Sequence, residues 1–340
     1  MKLVVDDKIP HISSFFTQCD DVVYLPGEQI SNHDLRDADA LITRTVTKIN
    51  APLLDNTAVK FVGTTTTGTD HIDIPWLAKN NITLATAAGA NSQAVAEYVL
   101  CCLAALYKKD LLHHKKVAGI IGCGRIGRIV ANIFQTLGFE VICYDPLLTE
   151  KCHFNFVSLD TVLSESDIIS IHTPLTKIGS HPTFHFINDD TIKKIKPDAI
   201  LINTARGEVI DQHALLQTKN MILCLDVWEN EPHICLELLH KVLIGTPHIA
   251  GYSLDAKYCA TQMIYERAAE FFGWSKIIPK KNKPSNGLLS FLKSDWINKA
   301  LSNYDPLTHT EQLRKVLTRC DDIAKTFITA RANYPLRRSG

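Results

Sequence analysis

Short β-branched runs of apolar residues alternate with stretches of helical spacing along most of the chain. In the first segment, Lys2 to Asp6, Val22 to Leu25, Ala40 to Thr43, Val59 to Gly63 and Ile82 to Ala85 read as buried strands. Helical stretches sit between them, around Ile12 to Thr17, Asn32 to Asp37, Ala51 to Leu54 and Ile74 to Asn80. Strands that alternate with helices imply a parallel sheet covered on both faces. Gln93 to Tyr107 is apolar around most of its circumference, which predicts a helix buried on several sides at the crossing between two domains. The strand rhythm then resumes with Val117 to Ile121, Glu140 to Tyr144, Asp167 to His172, Ala199 to Asn203, Ile222 to Val227 and Leu243 to Gly245. Ala256 to Phe272 is amphipathic and reads as a helix returning to the first segment. Lys276 to Asn286 is rich in lysine and proline and reads as a linker. Beyond it, Leu313, Val316, Leu317 and Cys320 recur at helical spacing.

The expected architecture is α/β: two doubly wound, parallel-sheet, Rossmann-like domains across a cleft, followed by a small, mostly helical C-terminal segment. Residues 1–92 and 255–280 form a discontinuous substrate domain, 93–254 a dinucleotide domain and 281–340 the tail. A tail of that size buries little by itself and is expected to pack on a partner.

The centre of the chain is Val117 to Asp145, which reads strand, tight turn, helix, strand. Gly122, Gly124 and Gly127 give G-x-G-x-x-G. The first glycine allows the turn, the second lets backbone approach a pyrophosphate, and the third lets helix pack on strand. The helix N-terminus offers free N–H groups to the phosphates. Asp145, closing the second strand, can bind ribose hydroxyls and repels a 2′-phosphate, which favours NAD over NADP. The motif by itself is weak, but here strand, helix and acid stand in the right order around it.

Composition narrows the partners. Hydrophobic residues make up 46% and charged residues 21% of 340, ordinary for a globular chain. Lys plus Arg and Asp plus Glu balance at 36 each, so neither nucleic acid nor an anionic membrane is an expected partner. No run of about 18 apolar residues suggests a membrane span. The start, MKLVVDDKIPH, is unlike a secretion signal. Ten cysteines without a C-x-x-C pair read as small hydrophobes in the reducing cytoplasm, with no metal site expected.

Polar clusters follow the strands. Thr43-Arg44-Thr45 and Gly63 to Gly68 do so in the first segment; Thr173, Thr204 to Gly207, Trp228 and Thr246 to Gly251 do so in the second. Carboxyl ends of strands are where open α/β sheets bind ligands. Oxidising a secondary alcohol needs a base for the hydroxyl proton, and histidine suits this. His248 stands in a Pro-His turn, Glu231 could orient its ring, and Arg206 could hold a carboxylate with paired bonds.

The motifs GCGRIG, HTPL, NTARGEVID, LDVWENEP and TPHIAG resemble those of the D-isomer-specific 2-hydroxyacid dehydrogenases, over nearly the whole chain. The start MKLVVDDKIP, ITRTVTKIN, FVGTTTTGTDHID and the long HTPLTKIGSHPTFHFIN match a branch that acts on a phosphorylated hydroxy acid. The resemblance implies Arg206, Glu231 and His248 as the catalytic set, and Thr45, Thr66 and Tyr252 as substrate contacts. It implies Gly122, Gly124, Arg125, Ile126, Gly127, Asp145, Thr173, Thr204, Ala205, Asp226 and Gly251 around NAD. It also implies a homodimer formed through the tail. The family more often has Ser at the place of Thr45 and Cys at that of Ala205. The stretch between Ala214 and Asp226 is shorter than in relatives, and the tail reads as shortened. A substrate phosphate needs cations, for which Arg44 and the Arg337–Arg338 pair are candidates; a terminal basic pair can equally be solvated. The alternatives are a dehydrogenase for another D-2-hydroxy acid and a non-enzymatic NAD-sensing protein.

Overall fold

The computed structural model describes residues 1–19, 21–148, 153–276, 279, 292 and 295–338, and divides into two compact units. Most of the expected linker lies outside the described residues. The first unit holds the described residues of Met1–Asn91 and Ser253–Ser285, the second those of Ser92–Tyr252 and Asn286–Gly340.

Five strands build the first unit: β1 (Lys2–Asp6), β2 (Asp21–Leu25), β3 (Ala40–Thr43), β4 (Phe61–Thr64) and β5 (Thr83–Thr86). They are all parallel, in the order β2-β1-β3-β4-β5. β1 shows why such strands are apolar without alternation. Leu3 and Val5 join the core on one face and Val4 the core on the other, so neither face meets water. Helix Leu254–Phe272 covers one face through Ile264, Tyr265 and Ala268. The Ser253 hydroxyl accepts the Ala256 N–H at 3.0 Å at its start, and Gly273 ends it in the left-handed region at φ 72°. Gly63 is required beneath it, because a Cβ there would lie 2.6 Å from Ile264 Cγ2.

The second unit has seven strands: β6 (Val117–Ile121), β7 (Glu140–Tyr144), β8 (Asn155–Phe156), β9 (Ile168–Ile171), β10 (Ile200–Asn203), β11 (Ile222–Leu225) and β12 (Ile244–Gly245). Their order is β12-β11-β10-β9-β6-β7-β8, all parallel. Chain order reverses between β6 and β9, the switch point at which doubly wound sheets open a crevice. The two-residue edge strand β8 is too short to show in the hydrophobic pattern. Helix Ser92–Lys108 is buried from Ala94 to Leu106, as its all-round apolar surface requires. It packs against helices Arg125–Thr136 and Trp296–Asn303. No helix among the described residues is long and apolar enough to cross a membrane.

Part of the tail finds its cover in its own chain. Leu313, Leu317 and Phe327, from helices Pro306–Leu317 and Ile323–Ala332, share one core cluster with Leu225, Trp228 and Leu239. Of the expected stripe, Val316 is 44% exposed and lies off the buried side. The Gly245 N–H, on the β12 edge, donates to the Thr310 hydroxyl at 2.9 Å. Arg314 donates through Nε to the Leu239 carbonyl at 3.1 Å and through Nη2 to that of Val242, satisfying the end of helix Leu236–Lys241. Phe327→Ala should therefore cost roughly 3–5 kcal/mol, as for a core aromatic. Denaturant unfolding checks this; a change within about 0.5 kcal/mol would be that of a surface position.

Candidate active site

The turn after β6 is built for a phosphate-bearing ligand. Gly122 sits at φ 87°, and a Cβ there would lie within 2.9 Å of the His172 backbone across the switch point. A Cβ on Gly127 would collide with the Gly122 carbonyl, so glycine alone lets helix Arg125–Thr136 approach the strand. Gly124 is the opposite case: a Cβ there meets nothing within 4 Å, so its backbone faces open space. Gly124 and Arg125 are exposed and Ile126 half-buried at the start of this helix. Asp145 follows β7. Its carboxylate accepts the Cys123 N–H at 2.9 Å and the Leu147 N–H at 3.2 Å. A carboxylate has about four acceptor positions, so this one braces the glycine turn and retains capacity for ribose hydroxyls. Cradle, open backbone and acid fit a dinucleotide.

Beyond β9 and β10 the wall continues. Burial pulls His172 down to about 3, so its ring is neutral, with Nε2 2.9 Å from the Ser170 hydroxyl. Thr173 follows it, next to Gly122. Asn203 shapes the next turn: its Oδ1 accepts the Ala205 N–H at 3.0 Å and its Nδ2 donates to the Arg206 carbonyl at 2.9 Å. This turn carries Thr204 and Ala205, both nearly buried, and the half-buried Arg206. Arg206 Nη1 donates to the Ala205 carbonyl at 2.8 Å.

Glu231 and His248, separated in sequence, meet. The imidazole Nδ1 lies 2.8 Å from Glu231 Oε2, while Oε1 accepts the Trp228 N–H at 2.8 Å. A carboxylate in this state only accepts, so Nδ1 carries the hydrogen and Nε2 is left as the basic nitrogen. Burial raises the Glu231 carboxyl, but the His248 charge and hydrogen bond, the Trp228 N–H and the Arg331 charge outweigh it and hold it below its ordinary range. His248 is in the left-handed region at φ 58°, which a non-glycine residue occupies only when its surroundings impose it. They do so through Asp226. That carboxylate accepts the Thr246 hydroxyl at 2.6 Å and the Ile249 and Ala250 N–H groups at 2.8 Å each. Its backbone carbonyl accepts the His248 N–H at 2.7 Å. Among the cofactor candidates Asp226 is thus the exception: it is 1% exposed, with both oxygens turned inward to anchor the His248 turn.

Three further candidates, Thr45, Thr66 and Arg44, belong to the first unit. Thr45 is exposed and Thr66 half-buried, each in the loop after adjacent strands β3 and β4 of the first unit. Thr66 donates to the Gly68 carbonyl at 3.0 Å. Arg44 grips the buried Asp6 carboxylate, with Nε 2.8 Å from Oδ2 and Nη2 3.0 Å from Oδ1. In the long loop after β9, His185 Nε2 lies 2.8 Å from Glu229 Oε1, tying that loop to the Trp228–Glu231 turn. Gly251 and Tyr252 follow His248, both half-buried. Two tail residues went unnoticed or misplaced in the sequence. Arg331 Nε donates to the Tyr252 hydroxyl at 2.9 Å, its guanidinium lying 5.5 Å from that ring. Arg337, expected either in solvent or reaching toward a second subunit, is 5% exposed and bound within its own chain. No local pattern marks either arginine, because both acquire their partners only when the tail packs.

Fold and site define a dinucleotide-binding dehydrogenase domain with an acid-oriented histidine. Residues 103–250 match the family model described as D-isomer specific 2-hydroxyacid dehydrogenase, NAD binding domain. Among solved structures, D-lactate dehydrogenase from Aquifex aeolicus, complexed with NAD and lactic acid, is similar at TM-score 0.66 and 25% identity, over 80% of this chain and 96% of that one. Erythronate-4-phosphate dehydrogenase of Coxiella burnetii is 41% identical over 99% of this chain and 93% of its own length, and that of Acinetobacter baumannii 40% over 99% and 97%. The chain belongs to the erythronate-4-phosphate dehydrogenase family, within the D-isomer-specific 2-hydroxyacid dehydrogenases. From the Asp145 geometry, NADH should bind more tightly than NADPH, and Asp145→Ala should narrow the gap. Fluorescence titration with both cofactors decides it; equal affinities in the parent would remove the argument.

Proposed function

We propose that this chain oxidises the 2-hydroxyl of 4-phospho-D-erythronate, giving 2-oxo-3-hydroxy-4-phosphobutanoate, a step of pyridoxal phosphate (vitamin B6) synthesis. The observation that carries this is the Glu231–His248 pair beside a dinucleotide cradle, in a chain sharing 41% of its residues with a relative named for that substrate. Bound NAD supplies the hydride acceptor for the substrate's C2 hydrogen. Gly122, Gly124, Arg125, Ile126, Gly127, Asp145, Thr173, Thr204, Ala205 and Gly251 are the residues that would line its site. His248 Nε2 takes the hydroxyl proton, and Glu231 stabilises the resulting imidazolium through Nδ1. Arg206 holds the substrate carboxylate and polarises the reacting C–O. Tyr252, Thr45 and Thr66 are further substrate contacts in this reading. For the phosphate, Arg44 has a cationic neighbour: burial, and then the Arg44 charge, lower the Lys257 ammonium. A homodimer belongs to the reading through the family resemblance. It is supported by the exposed Val316 and Ile328 (44% and 55%) on the tail helices.

NADH formation across phosphorylated and plain D-2-hydroxy acids tests the substrate; turnover of plain acids alone would overturn it in favour of a lactate- or glyoxylate-type activity. No turnover at all, with NAD still bound, would favour an NAD-sensing role. His248→Ala should lower kcat by roughly 10²–10⁴, the span of a general base. Arg206→Lys should chiefly impair substrate use, since lysine lacks the planar fork. A near-parental rate for His248→Ala across neutral pH would exclude it as the base.

A pH effect on stability follows from Glu231. Its carboxyl titrates below the ordinary 4.5 in the folded chain, so its stabilisation is complete above that value and disappears as pH falls through the folded value. Glu231→Gln should flatten this acid part of the Tm profile, and an unchanged profile would show that the pair contributes nothing.

A further inference from the structure

Arg337 has an environment that an arginine seldom has. It is 5% exposed, and its hydrogen bonds go to neutral acceptors. Nη1 donates to the Ile249 carbonyl at 3.2 Å and to the Tyr334 hydroxyl at 3.2 Å. Nη2 donates to the Ala94 carbonyl at 2.9 Å and to the Ala250 carbonyl. The guanidinium carbon lies 5.3 Å from the Tyr304 ring centre. Burying a cation is costly unless its donors find partners. What it obtains is a grip on the two residues that follow His248.

The same two residues are held by Asp226. Their N–H groups point to its carboxylate, Ile249 to Oδ1 and Ala250 to Oδ2. Their carbonyls point to Arg337. A negative and a positive group therefore bracket the two residues, each meeting the end of the peptide dipole of opposite sign. The charges complement each other through the backbone between them, as charge-assisted bonds do. His248, at φ 58°, is the residue whose strained backbone this bracket must hold.

We propose that Arg337 is a positioning residue for His248: it latches the tail onto the Ile249–Ala250 backbone and so sets the imidazole for proton transfer, within one chain. This rests on the reading of His248 as the base. Arginine is suited to the task because its planar fork spans two carbonyls, whereas lysine offers a single ammonium.

Arg337→Ala and Arg337→Lys test it, with kcat, NADH affinity by fluorescence quenching and thermal unfolding measured beside His248→Ala. A misplaced base predicts a kcat lower by roughly 10–100-fold with NADH affinity unchanged, since small displacements at a reacting centre cost that much. Methylguanidinium should restore part of the rate to folded Arg337→Ala, and sodium chloride at equal concentration should not. Parental kcat in either folded variant overturns the proposal. So does joint loss of kcat and NADH affinity without rescue, which marks a merely structural arginine. If the alanine variant does not fold, the lysine variant decides; if that also unfolds, Arg337 serves stability alone and the latch is wrong. Full activity of His248→Ala defeats the base assignment itself, whereas an inactive His248→Ala beside a normal Arg337→Ala defeats only the latch.

Discussion

The geometry of the site depends on one buried carboxylate. Asp226 follows β11, between the turns that carry Arg206 and His248. Removing a carboxylate from water costs several kcal/mol unless its lone pairs are filled. Here a hydroxyl and two backbone N–H groups donate to it, and burial still outweighs them and the His248 charge and raises its pKa. Such a group cannot relax far without leaving an acceptor unsatisfied, so the turn it organises has one conformation. The Thr246 hydroxyl donates to Asp226 and therefore accepts from Tyr98, 2.7 Å away, which ties the same point to helix Ser92–Lys108. Trp228 Nε1 adds a bond to the Thr246 carbonyl at 2.8 Å.

Around this anchor the parallel sheet supplies direction. With every strand of the second unit running the same way, the turns after β6, β7, β9, β10, β11 and β12 all emerge at one end. That is why the glycine turn, Asp145, Thr173, Arg206, Asp226 and His248 lie at the same end of one sheet although more than a hundred residues separate the first from the last. Side chains from several strands can then cooperate while each remains fixed by its own strand.

The tail illustrates a different use of packing. It closes the β12 edge with Thr310, caps a neighbouring helix with Arg314 and contributes Phe327 to the core. An uncovered sheet edge is a site of unwanted pairing, and a two-residue strand sealed by a helix avoids it. The same segment places Arg331 against Tyr252, so a region that appears peripheral in sequence shapes the electrostatics of Glu231.

Much of the fold was legible because its causes are local. Strands β1, β3, β6 and β7 coincide with their apolar runs, since a strand buried on both faces needs apolar residues throughout. The glycine turn was legible because Gly122 and Gly127 answer steric demands of the local backbone. Other strands begin or end one or two residues from their runs, where hydrogen bonding to a neighbour decides the limit. What the sequence by itself determined is the set of elements, their order and the chemical types at the strand ends. Only the tertiary structure decided that Glu231 meets His248, that Asp226 turns inward, and that Arg337 is buried on backbone carbonyls. These depend on contacts between residues far apart in the chain, and a side chain's partners and burial are properties of the packed fold, absent from any local pattern.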